Sequence, residues 1–348
     1  MELYDKIDKL AHNLGFADWG CAKATSLERE MRWFQKAQER GFFGEMDYLN
    51  RNSEKRQDPT LLLEGAKSVM VFLVPFSYHS HNRKNDNSLK VSEFALGEDY
   101  HTVIKNRLNQ IANCIDLYLI ENNPSMSEIT ENPYLRKKYF APNFDKYKSL
   151  SCRVFTDSAP VMERAWAVRA GLGFIGKNNF LISRSCGVKN FIGVIITTAE
   201  LPYSEEYPDE ERGENCGKCT QCIDACSCKA LFAPREIDAR KCLSYKTIEA
   251  PVNKSCCMEF STQCENVSGW IFGCDECMNA CPWNKFNREG WREFHSLAEV
   301  IEGEGKSPSW WMSLSEEKFN KLFAKSPLRR AGLQKIRENI MTLFREKE

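Results

Sequence analysis

The sequence predicts an α/β (α+β) protein in three parts: an α/β domain at residues 1–205, a cysteine-rich module at 206–290 and a basic helical segment at 291–348. Three observations support this prediction. Helix-like and strand-like apolar patterns alternate along the first part. Most of the 16 cysteines fall between positions 216 and 281. An acidic, proline-containing stretch at 200–214 separates these two regions.

The chain of 348 residues is long enough for a main domain with its own core and a smaller module. Its 48 basic and 48 acidic side chains cancel, so any affinity for nucleic acid must come from local patches. The N-terminus reads as a charged amphipathic helix without the apolar core of an export signal. No apolar run is long enough to span a bilayer. Together with the abundant thiols, these features predict a cytoplasmic protein that does not bind membranes.

Apolar residues three to four positions apart predict helices in the first part, and short runs rich in branched and aromatic residues predict strands. The predicted helices are Leu3–Leu14, Leu27–Glu39 and a segment from Tyr100 to about Ile120. The predicted strands are Ser68–Pro75, Arg153–Thr156, Phe180–Ile182 and Phe191–Thr197. This alternation predicts an α/β sheet domain.

Two segments of the first part read as loops. His79 and His81 lie in a polar stretch without carboxylates or cysteines at ligand spacing, so we expect both to be solvated. The polar, proline-marked stretch at 121–150 reads as an irregular surface excursion.

Asp157 follows the predicted strand Arg153–Thr156 and precedes a helix with Pro160 near its first turn. On position alone, Asp157 is a candidate N-cap, with Ser158 as its competitor. The glycine-rich stretch at 171–179 contains a G-x-G-x-x-G order. It follows a helix, whereas a dinucleotide fingerprint lies between a strand and a helix, so the glycines alone are weak support for a nucleotide site.

The cysteine spacing carries the strongest chemical signal. Residues 216–226 have the spacing C-x2-C-x2-C-x3-C, in which ferredoxins use three thiolates for one iron–sulfur cluster and the fourth for its neighbour. Residues 274–282 repeat C-x2-C-x3-C-P, with Cys242 as the candidate for a first ligand displaced upstream. The pattern predicts two 4Fe–4S clusters. The predicted ligands are Cys216, Cys219, Cys222 and Cys281 for one cluster, and Cys226, Cys242, Cys274 and Cys277 for the other.

Zinc and disulfides are the alternatives to iron–sulfur clusters. Zinc typically uses two C-x2-C pairs, which leaves the three-residue spacings and the surplus ligands unexplained. A disulfide framework is typical of small secreted chains. The cysteines outside both motifs are expected to be inert or packed thiols: Cys21, Cys114, Cys152, Cys186, Cys228, Cys256, Cys257 and Cys264.

A basic run lies close to the C-terminus. Positions 318–345 combine four lysines, four arginines and one glutamate on a helical pattern, a net charge of +7. Such a run is usually a solvated helix face, but a basic patch is also the electrostatic footprint of phosphate binding. An ordinary surface and an RNA contact both remain open.

Taken together, these segments resemble the epoxyqueuosine reductase family, cobalamin-dependent iron–sulfur enzymes that complete queuosine in the tRNA anticodon loop. Besides both cysteine runs, the matching segments follow one another along nearly the whole chain. They are GFFGEMDYL, DPTLLLEGAKSV, EDYH, TDSAPVMERAWAVRAGLGFIGKNN, KCLSYKTIE, GCDECMNACPWN and SPLRRAG.

The resemblance implies a two-electron reduction of epoxyqueuosine to queuosine, with tRNA modified at the wobble position as the partner. Cob(I)alamin would open the epoxide, two 4Fe–4S clusters would feed it, and an external flavodoxin- or ferredoxin-type donor would feed the clusters. The family's acid lies in the TDSAP segment, so Asp157 is the implied proton donor. Burial in an apolar pocket would favour its protonated form. We expect a monomer.

Further site residues follow from the resemblance. Four residues match positions in the family motifs that surround the corrin: Arg56, Tyr100, Lys177 and Asn178. Ser244 and Asp275 lie beside cluster ligands, where a cluster and the cobalamin are expected to come close together. No histidine lies in a cobalamin-ligand motif, so the cobalamin is expected to be base-off.

The chain departs from the family pattern in two ways. Ser227 and Cys228 stand where the family usually has proline after the fourth cysteine. The C-terminal helical repeats of some members are missing, so we expect any tRNA contact made there to be made otherwise.

Two alternatives belong to other classes of protein. A cobalamin-dependent reductive dehalogenase would share the corrin and the clusters, but it would normally have an export leader and a tyrosine as its acid. This sequence has neither the leader nor a tyrosine in the Asp157 segment. A ferredoxin-type electron carrier would not need so large an N-terminal domain.

Overall fold

The computed structural model describes residues 2–78, 88–122, 151–208, 213–251 and 269–345. The strands are β1 (Asp18–Lys23), β2 (Ser68–Pro75), β3 (Lys90–Val91), β4 (Cys152–Phe155), β5 (Phe174–Ile175), β6 (Leu181–Ile182), β7 (Asn190–Thr197), β8 (Leu231–Ala233), β9 (Glu236–Ile237) and β10 (Trp270–Phe272). The helices are α1 (Glu2–Asn13), α2 (Glu28–Glu39), α3 (Asp47–Asn50), α4 (Ser53–Gln57), α5 (Tyr100–Asn122), α6 (Glu163–Arg169), α7 (Gln221–Asp224), α8 (Leu243–Ile248), α9 (Glu276–Asn279), α10 (Ala298–Glu302), α11 (Pro308–Ser313), α12 (Glu316–Leu322) and α13 (Leu328–Arg345). Turns of 3-10 helix lie at Pro59–Leu61, Glu93–Ala95, Glu214–Cys216, Ala239–Lys241, Pro282–Phe286, Arg292–His295 and Glu304–Lys306.

The first part of the chain is built on a four-stranded sheet with the strand order β1-β2-β7-β4. Every neighbouring pair in it is antiparallel. Val71 of β2 lies opposite Gly20 of β1 on one side and opposite Val194 of β7 on the other. All of β2 is buried. Burial of both faces explains why this strand is an unbroken apolar run instead of an alternating one.

Helices cover both faces of the sheet. On one face, α1 and α5 pack against a core that includes Met70 and Phe72. On the other face, Trp166 of α6 packs with Val69 and Val71. Successive residues of β2 therefore belong to different cores, as the alternation of side chains in a strand requires. Because α5 packs along β4, the residues that follow β4 lie beside the first turn of α5.

A third core joins the C-terminal helices to the cysteine-rich module. β3 and β10 pair in parallel, and their side chains share a core with α10 to α13. β10 ends at Phe272 and leads into Cys274. α13 is interrupted at Gly332, which has a left-handed φ of 78°. The second cysteine run is therefore anchored on a strand that both the first part and the C-terminal segment contact.

The predicted elements largely agree with the structure, and β2 has the predicted limits. β1 is missing from the prediction, because Asp18–Lys23 contains no β-branched residue and so gives no strand pattern. The N-cap prediction is wrong. α6 begins at Glu163 with Met162 in the cap position, so neither Asp157 nor Ser158 caps it.

The all-antiparallel main sheet makes α+β the closer description of the fold class. Within the residues described, no helix combines the length and apolar character needed to cross a membrane. Several predictions lie outside those residues: His79, His81, the stretch at 123–150, Cys256, Cys257 and Cys264.

Candidate functional site

The first cysteine set, Cys216, Cys219, Cys222 and Cys281, comes together from both ends of the module. Cys216 ends a 3-10 turn, Cys222 lies in α7, and Cys281 follows α9. Burial raises the pKa of the Cys222 thiol to about 11, with further contributions from Cys216, Cys281 and Cys219. Burial also raises the pKa of Cys281, and Cys216 and Cys219 add to the effect. The four thiols are therefore electrostatic neighbours, although Cys281 is far away in sequence.

The second cysteine set, Cys226, Cys242, Cys274 and Cys277, forms a separate group. Burial raises the pKa of the Cys277 thiol well above its ordinary value, and the next contributions come from Cys274, Cys242 and Cys226. Burial likewise raises the pKa of Cys274, whose neighbours include Cys242. Cys226 follows Cys222 closely in sequence, yet its thiol contributes to the raised pKa of Cys277, a member of the second set.

The surroundings of the thiols suit cluster ligands. The backbone N–H of Leu231 lies 3.5 Å from the sulfur of Cys226. Burial raises the pKa of Cys242, and the backbone N–H groups of Tyr245 and Ser244 oppose that rise. Such donors stabilise a thiolate. No three His, Cys, Asp or Glu side chains in the described ranges are arranged to hold a single metal ion. A 4Fe–4S cluster instead spreads its four thiolates over four irons.

Lys177 and Asn178 connect the first part of the chain to both cysteine sets. The Lys177 amine donates to the carbonyl oxygen of Gly217 at 2.6 Å and to that of Cys219 at 3.0 Å. The Asn178 amide donates to the carbonyl oxygen of Cys277 at 3.5 Å. In this structure, these two predicted corrin contacts support the loops that carry the cysteines.

Asp275 is another predicted cofactor contact, and it is fully buried. Its carboxylate accepts hydrogen bonds from the Ser92 hydroxyl and, at 2.8 Å, from the Glu93 N–H. Glu93 in turn pairs with Lys189. Asp275 therefore anchors the second-set loop to the residues after β3, and its carboxylate has no exposed surface for a cofactor.

Asp157 lies two residues beyond the end of β4, with a left-handed φ of 49° and a side chain that is 65% exposed. The Tyr100 hydroxyl donates a hydrogen bond to its carboxylate. Tyr100 itself is buried between the rings of Phe191 and His101, with centroid distances of 4.2 and 4.1 Å. Burial, followed by the charge of Asp157, raises the pKa of Tyr100. The expected burial of Asp157 is not found here, and the buried partner is Tyr100.

Glu163, the first residue of α6, contacts the same loop. Its carboxylate accepts a hydrogen bond from the backbone N–H of Asp157. Loss of solvation, followed by the charge of Asp157, raises the pKa of Glu163. A left-handed residue other than glycine is unusual and marks a backbone held by its surroundings. A carboxyl group whose pKa is raised by burial and by a neighbouring carboxylate is typical of a reaction site.

Arg56 fits a site for a polar or anionic group. The side chain is buried in α4, and across the described residues its Nε has no hydrogen-bond partner. Nη2 donates to the carbonyl oxygen of Tyr48 at 3.1 Å, and the ring of Phe34 lies 5.4 Å from the guanidinium. An unsatisfied buried donor is costly. A ligand with acceptor oxygens, such as the amides and phosphate of cobalamin, would satisfy it.

Tyr48 marks the rim of this site, with 48% of its surface exposed. Burial is the main cause that raises the pKa of the Tyr48 hydroxyl. This hydroxyl is also influenced by nearby charges, those of Glu249, Asp157, Arg330 and Arg56. Arg330 pairs with Glu249 at 3.2 Å. Residues from the cysteine-rich module and from the C-terminal segment therefore reach the rim.

Only part of the basic C-terminal run is open to a partner. Lys335 is buried and donates to the carbonyl oxygen of Ala250 at 2.7 Å. Arg337 donates to three carbonyl groups between Trp311 and Leu314. These two cations stabilise the packing of α13. Among the side chains of the run that the structure describes, the exposed cations are Lys318, Lys321, Lys325, Arg329 and Arg330.

Besides His101, whose Nε2 is 3.8 Å from the Asp157 carboxylate, four residues around Asp157 are absent from the predicted site. Each lies in a segment that resembles the reductase family, which is the signal that could have singled it out. Apolar periodicity cannot find them, because they are polar or exposed and come from distant parts of the chain. They are Tyr48, Glu163, Glu249 and Arg330.

Within the described part of the chain, the cysteines outside the two sets fit the packing prediction with one exception. Cys21, Cys152 and Cys186 are buried free thiols, and Cys114 is half-buried. Burial raises the pKa of Cys21 and of Cys186 to about 12, which makes them poor thiolates at neutral pH. Cys228 is disulfide-bonded, so the expectation of a packed thiol is wrong there.

Two family models match this chain. The model described as "Epoxyqueuosine reductase QueG, DUF1730" matches residues 56–158. The model described as "4Fe-4S double cluster binding domain" matches residues 215–284, which contain both cysteine sets.

Curated relatives match nearly the whole chain. The epoxyqueuosine reductase of Leadbetterella byssophila is 36% identical over 342 residues, 98% of each chain. That of Cyclobacterium marinum is 35% identical over 334 residues, 96% of this chain and 94% of the relative. The double-cluster domain and the names of these relatives define an iron–sulfur oxidoreductase. More particularly, the chain belongs to the epoxyqueuosine reductase family, enzymes of queuosine biosynthesis and tRNA processing whose cofactors are cobalamin and 4Fe–4S clusters.

Solved structures share the fold. Epoxyqueuosine reductase from Streptococcus thermophilus superimposes with a TM-score of 0.75 at 23% identity, covering 100% of this chain and 82% of that one. A crystal structure of epoxyqueuosine reductase with a tRNA-Tyr epoxyqueuosine-modified tRNA stem loop gives 0.75 at 22% identity, with coverage of 99% and 81%.

Proposed function

We propose that this chain reduces epoxyqueuosine to queuosine in the anticodon loop of tRNA, a two-electron deoxygenation in which Asp157 donates a proton. The observation that carries the proposal is the setting of Asp157. The hydroxyl of the buried Tyr100 donates a hydrogen bond to the exposed carboxylate of Asp157. Asp157 and Arg56 both act electrostatically on Tyr48, and within the described residues the Arg56 Nε has no hydrogen-bond partner. A carboxyl group at an open rim can reach a bulky nucleoside that a closed pocket would exclude.

The acid–base role follows from the neighbours of Asp157. Opening an epoxide leaves an alkoxide, which a positioned carboxylic acid can protonate. Glu163 lies against the same loop, and loss of solvation followed by the charge of Asp157 raises the pKa of Glu163, so the site can hold a proton beside Asp157. Tyr100 fixes the direction of the carboxylate, so that the proton is presented in one geometry.

The cysteine sets and the surrounding side chains would hold the cofactors. When bound, base-off cobalamin supplies the nucleophile that opens the epoxide, and the two clusters supply electrons of low potential. The first cysteine set holds one cluster and the second set holds the other. The residues proposed to contact the cobalamin or to shape its site are Arg56, Tyr100, Asp157, Lys177, Asn178, Ser244 and Asp275.

The exposed end of the basic C-terminal run is proposed as an RNA contact. The carbonyl oxygen of Lys325 accepts the Asp99 N–H at 2.6 Å, which places this run beside the first turn of α5. Lys321 and Lys325 can therefore meet phosphates near the site. Tyr48, exposed at the rim, can stack on a base that is splayed out of its loop.

Electrons are proposed to enter at the first cysteine set, from an external donor of flavodoxin or ferredoxin type. Cys216 and Cys219 are half-buried, and the residues between them, Gly217 and Lys218, are exposed. A docked donor could approach a cluster there closely.

The enzyme is further proposed to be a monomer whose chain is divided into three parts, at residues 1–205, 206–290 and 291–348.

The test uses protein reconstituted anaerobically with iron, sulfide and cobalamin. An anticodon stem loop carrying epoxyqueuosine is added with a low-potential reductant, and nucleoside analysis is expected to find queuosine. Asp157→Asn should keep the cluster and corrin absorption and slow turnover about 10²–10⁴-fold. Asp5→Asn, at an exposed position of α1, is the matched control.

Two outcomes contradict the proposal in different ways. Wild-type turnover by the Asp157→Asn variant would remove Asp157 as the acid while leaving the reaction intact. Cluster absorption without a corrin signal, and no queuosine, would instead indicate an electron carrier.

A further inference from the structure

His101 lies between two carboxylates at the start of α5. Its Nδ1 is 2.6 Å from Oδ1 of Asp99, and its Nε2 is 3.8 Å from Oδ2 of Asp157. The imidazole is 26% exposed and stacks on the buried ring of Tyr100. One edge of the ring is therefore held by Asp99, and the other edge points towards the proposed acid.

Asp99 determines which ring nitrogen exchanges protons. Its Oδ1 accepts from both the His101 backbone N–H, at 2.9 Å, and Nδ1 of the ring. Burial alone would raise the pKa of Asp99, but the hydrogen bonds from the His101 side chain and backbone outweigh it, and the pKa lies below its usual range. Asp99 therefore stays ionised and keeps a proton on Nδ1. Nε2 is then the nitrogen that is free to gain or lose one.

We propose that His101 resupplies the proton that Asp157 gives to the substrate. This inference rests on the proposed function, because it presumes that Asp157 is the acid. A substrate that receives the proton must cover the Asp157 carboxylate and separate it from bulk water. His101 reaches the same carboxylate from the α5 side, and its partial exposure keeps a route to solvent open.

The proposed step moves one proton and no electrons. After delivery to the alkoxide, Asp157 is a carboxylate. The Nε2–H bond of the His101 imidazolium breaks, and an O–H bond forms on Asp157. The ring becomes neutral imidazole with its proton on Nδ1, and hydronium from solvent restores the proton on Nε2. The 3.8 Å separation suits a contact that shortens when substrate is bound, as hydrogen bonds in reaction sites often do.

Other charges face this relay from the neighbouring elements. Glu163 of α6 contacts the Asp157 loop, and Lys105, one turn along α5, donates to Ser158 in that loop. The backbone carbonyl oxygen of Lys325 accepts a hydrogen bond from the Asp99 N–H, and the Lys325 amine is 3.9 Å from the Glu98 carboxylate. Asp99 and Asp157 stabilise the imidazolium, while Lys105 opposes it.

The test compares first and later turnovers of the holoenzyme on the epoxyqueuosine stem loop. On the proposed role, Asp157 takes up its first proton from solvent before substrate covers it, so with enzyme in excess His101→Ala should complete the first turnover at close to the wild-type rate. Its steady-state rate should fall about tenfold or more, since relayed proton transfer is a general acid–base contribution. The wild-type steady-state rate should fall as pH rises, because the ring must carry a proton on Nε2 to pass one on. The variant should lack this limb of the pH profile.

Added imidazole should restore the steady-state rate of His101→Ala, because the ring site is open to solvent. His12→Ala, at an exposed position of α1, is the control and should change nothing. A wild-type steady-state rate in His101→Ala would overturn the relay. So would a first turnover slowed as much as the later ones without rescue by imidazole, which would show a structural role. An inactive Asp157→Asn beside an unaffected His101→Ala would overturn the relay and leave the proposed function standing.

Discussion

Glu93 and Lys189 form a buried ion pair, with 2.7 Å between Oε1 and Nζ and side-chain exposures of 3% and 8%. Glu93 also accepts the N–H of Tyr78 at 3.2 Å, and its own N–H donates to Asp275. The pair therefore links the residue before β7 to the loop that carries the second cysteine set. Loss of the charge on Glu93 or Lys189 therefore affects the second-set loop as well as the ion pair itself.

Replacing Lys189 by methionine is expected to destabilise the fold by about 3–5 kcal/mol, because the Glu93 carboxylate stays buried without its cation. The measurement is the denaturant midpoint of anaerobically purified holoenzyme, followed by circular dichroism. Lys67→Met is the matched control, since Lys67 pairs with Glu200 at 3.7 Å on the surface, where ion pairs contribute little. Equal shifts in the two variants would contradict a buried role for the pair.

Single cysteine replacements are expected to sort by cysteine set and not by sequence order. Cys281→Ala should remove or degrade the same cluster as Cys222→Ala, with iron falling from about eight towards about four per chain. Cys226→Ala should instead resemble Cys242→Ala in its electron paramagnetic resonance spectrum. Cys114→Ala, a thiol outside both sets, should keep all of the iron. Matching spectra for Cys226→Ala and Cys222→Ala would refute the two sets.

Replacing Lys321 and Lys325 by glutamine should weaken binding of the anticodon stem loop and reduce its dependence on salt. Each lost phosphate contact lowers the slope of log affinity against log salt by about one. Fluorescence anisotropy at several salt concentrations measures that slope. Lys6→Gln with Lys9→Gln changes the net charge equally on α1, and an equal loss of slope in that pair would attribute the effect to the overall field.

The sequence predicts some features well because their signals are local or follow a strict spacing. β2 is found because burial on both faces leaves an unbroken apolar run. β1 is missed because Gly20 has no side chain to contribute, and its place in the sheet depends on pairing with distant residues. Intervals between cysteines suggest the two sets, since cluster geometry restricts the chain more than a helix or strand does.

The site around Asp157 illustrates what sequence patterns leave out. Tyr100 and His101 meet Asp157 across a wide separation in sequence, and the contact depends on how α5 packs along β4. The left-handed backbone of Asp157 is likewise a product of its partners, because aspartate also occupies many ordinary conformations. Resemblance to a family singles out Asp157, but the groups that act on it emerge only from the folded chain.

On the proposed assignment, the two ligand sets are interlaced along the chain, and this affects the order of biosynthesis. Cys216 leaves the ribosome first, but its cluster needs Cys281, which follows every member of the second set. A nascent chain paused just before Cys281 would contain all four ligands of the second set but only three of the first. It could therefore complete the second-set cluster and not the first-set cluster. The cluster proposed to receive electrons first would then be the last to be assembled, when translation has passed the whole cysteine-rich module.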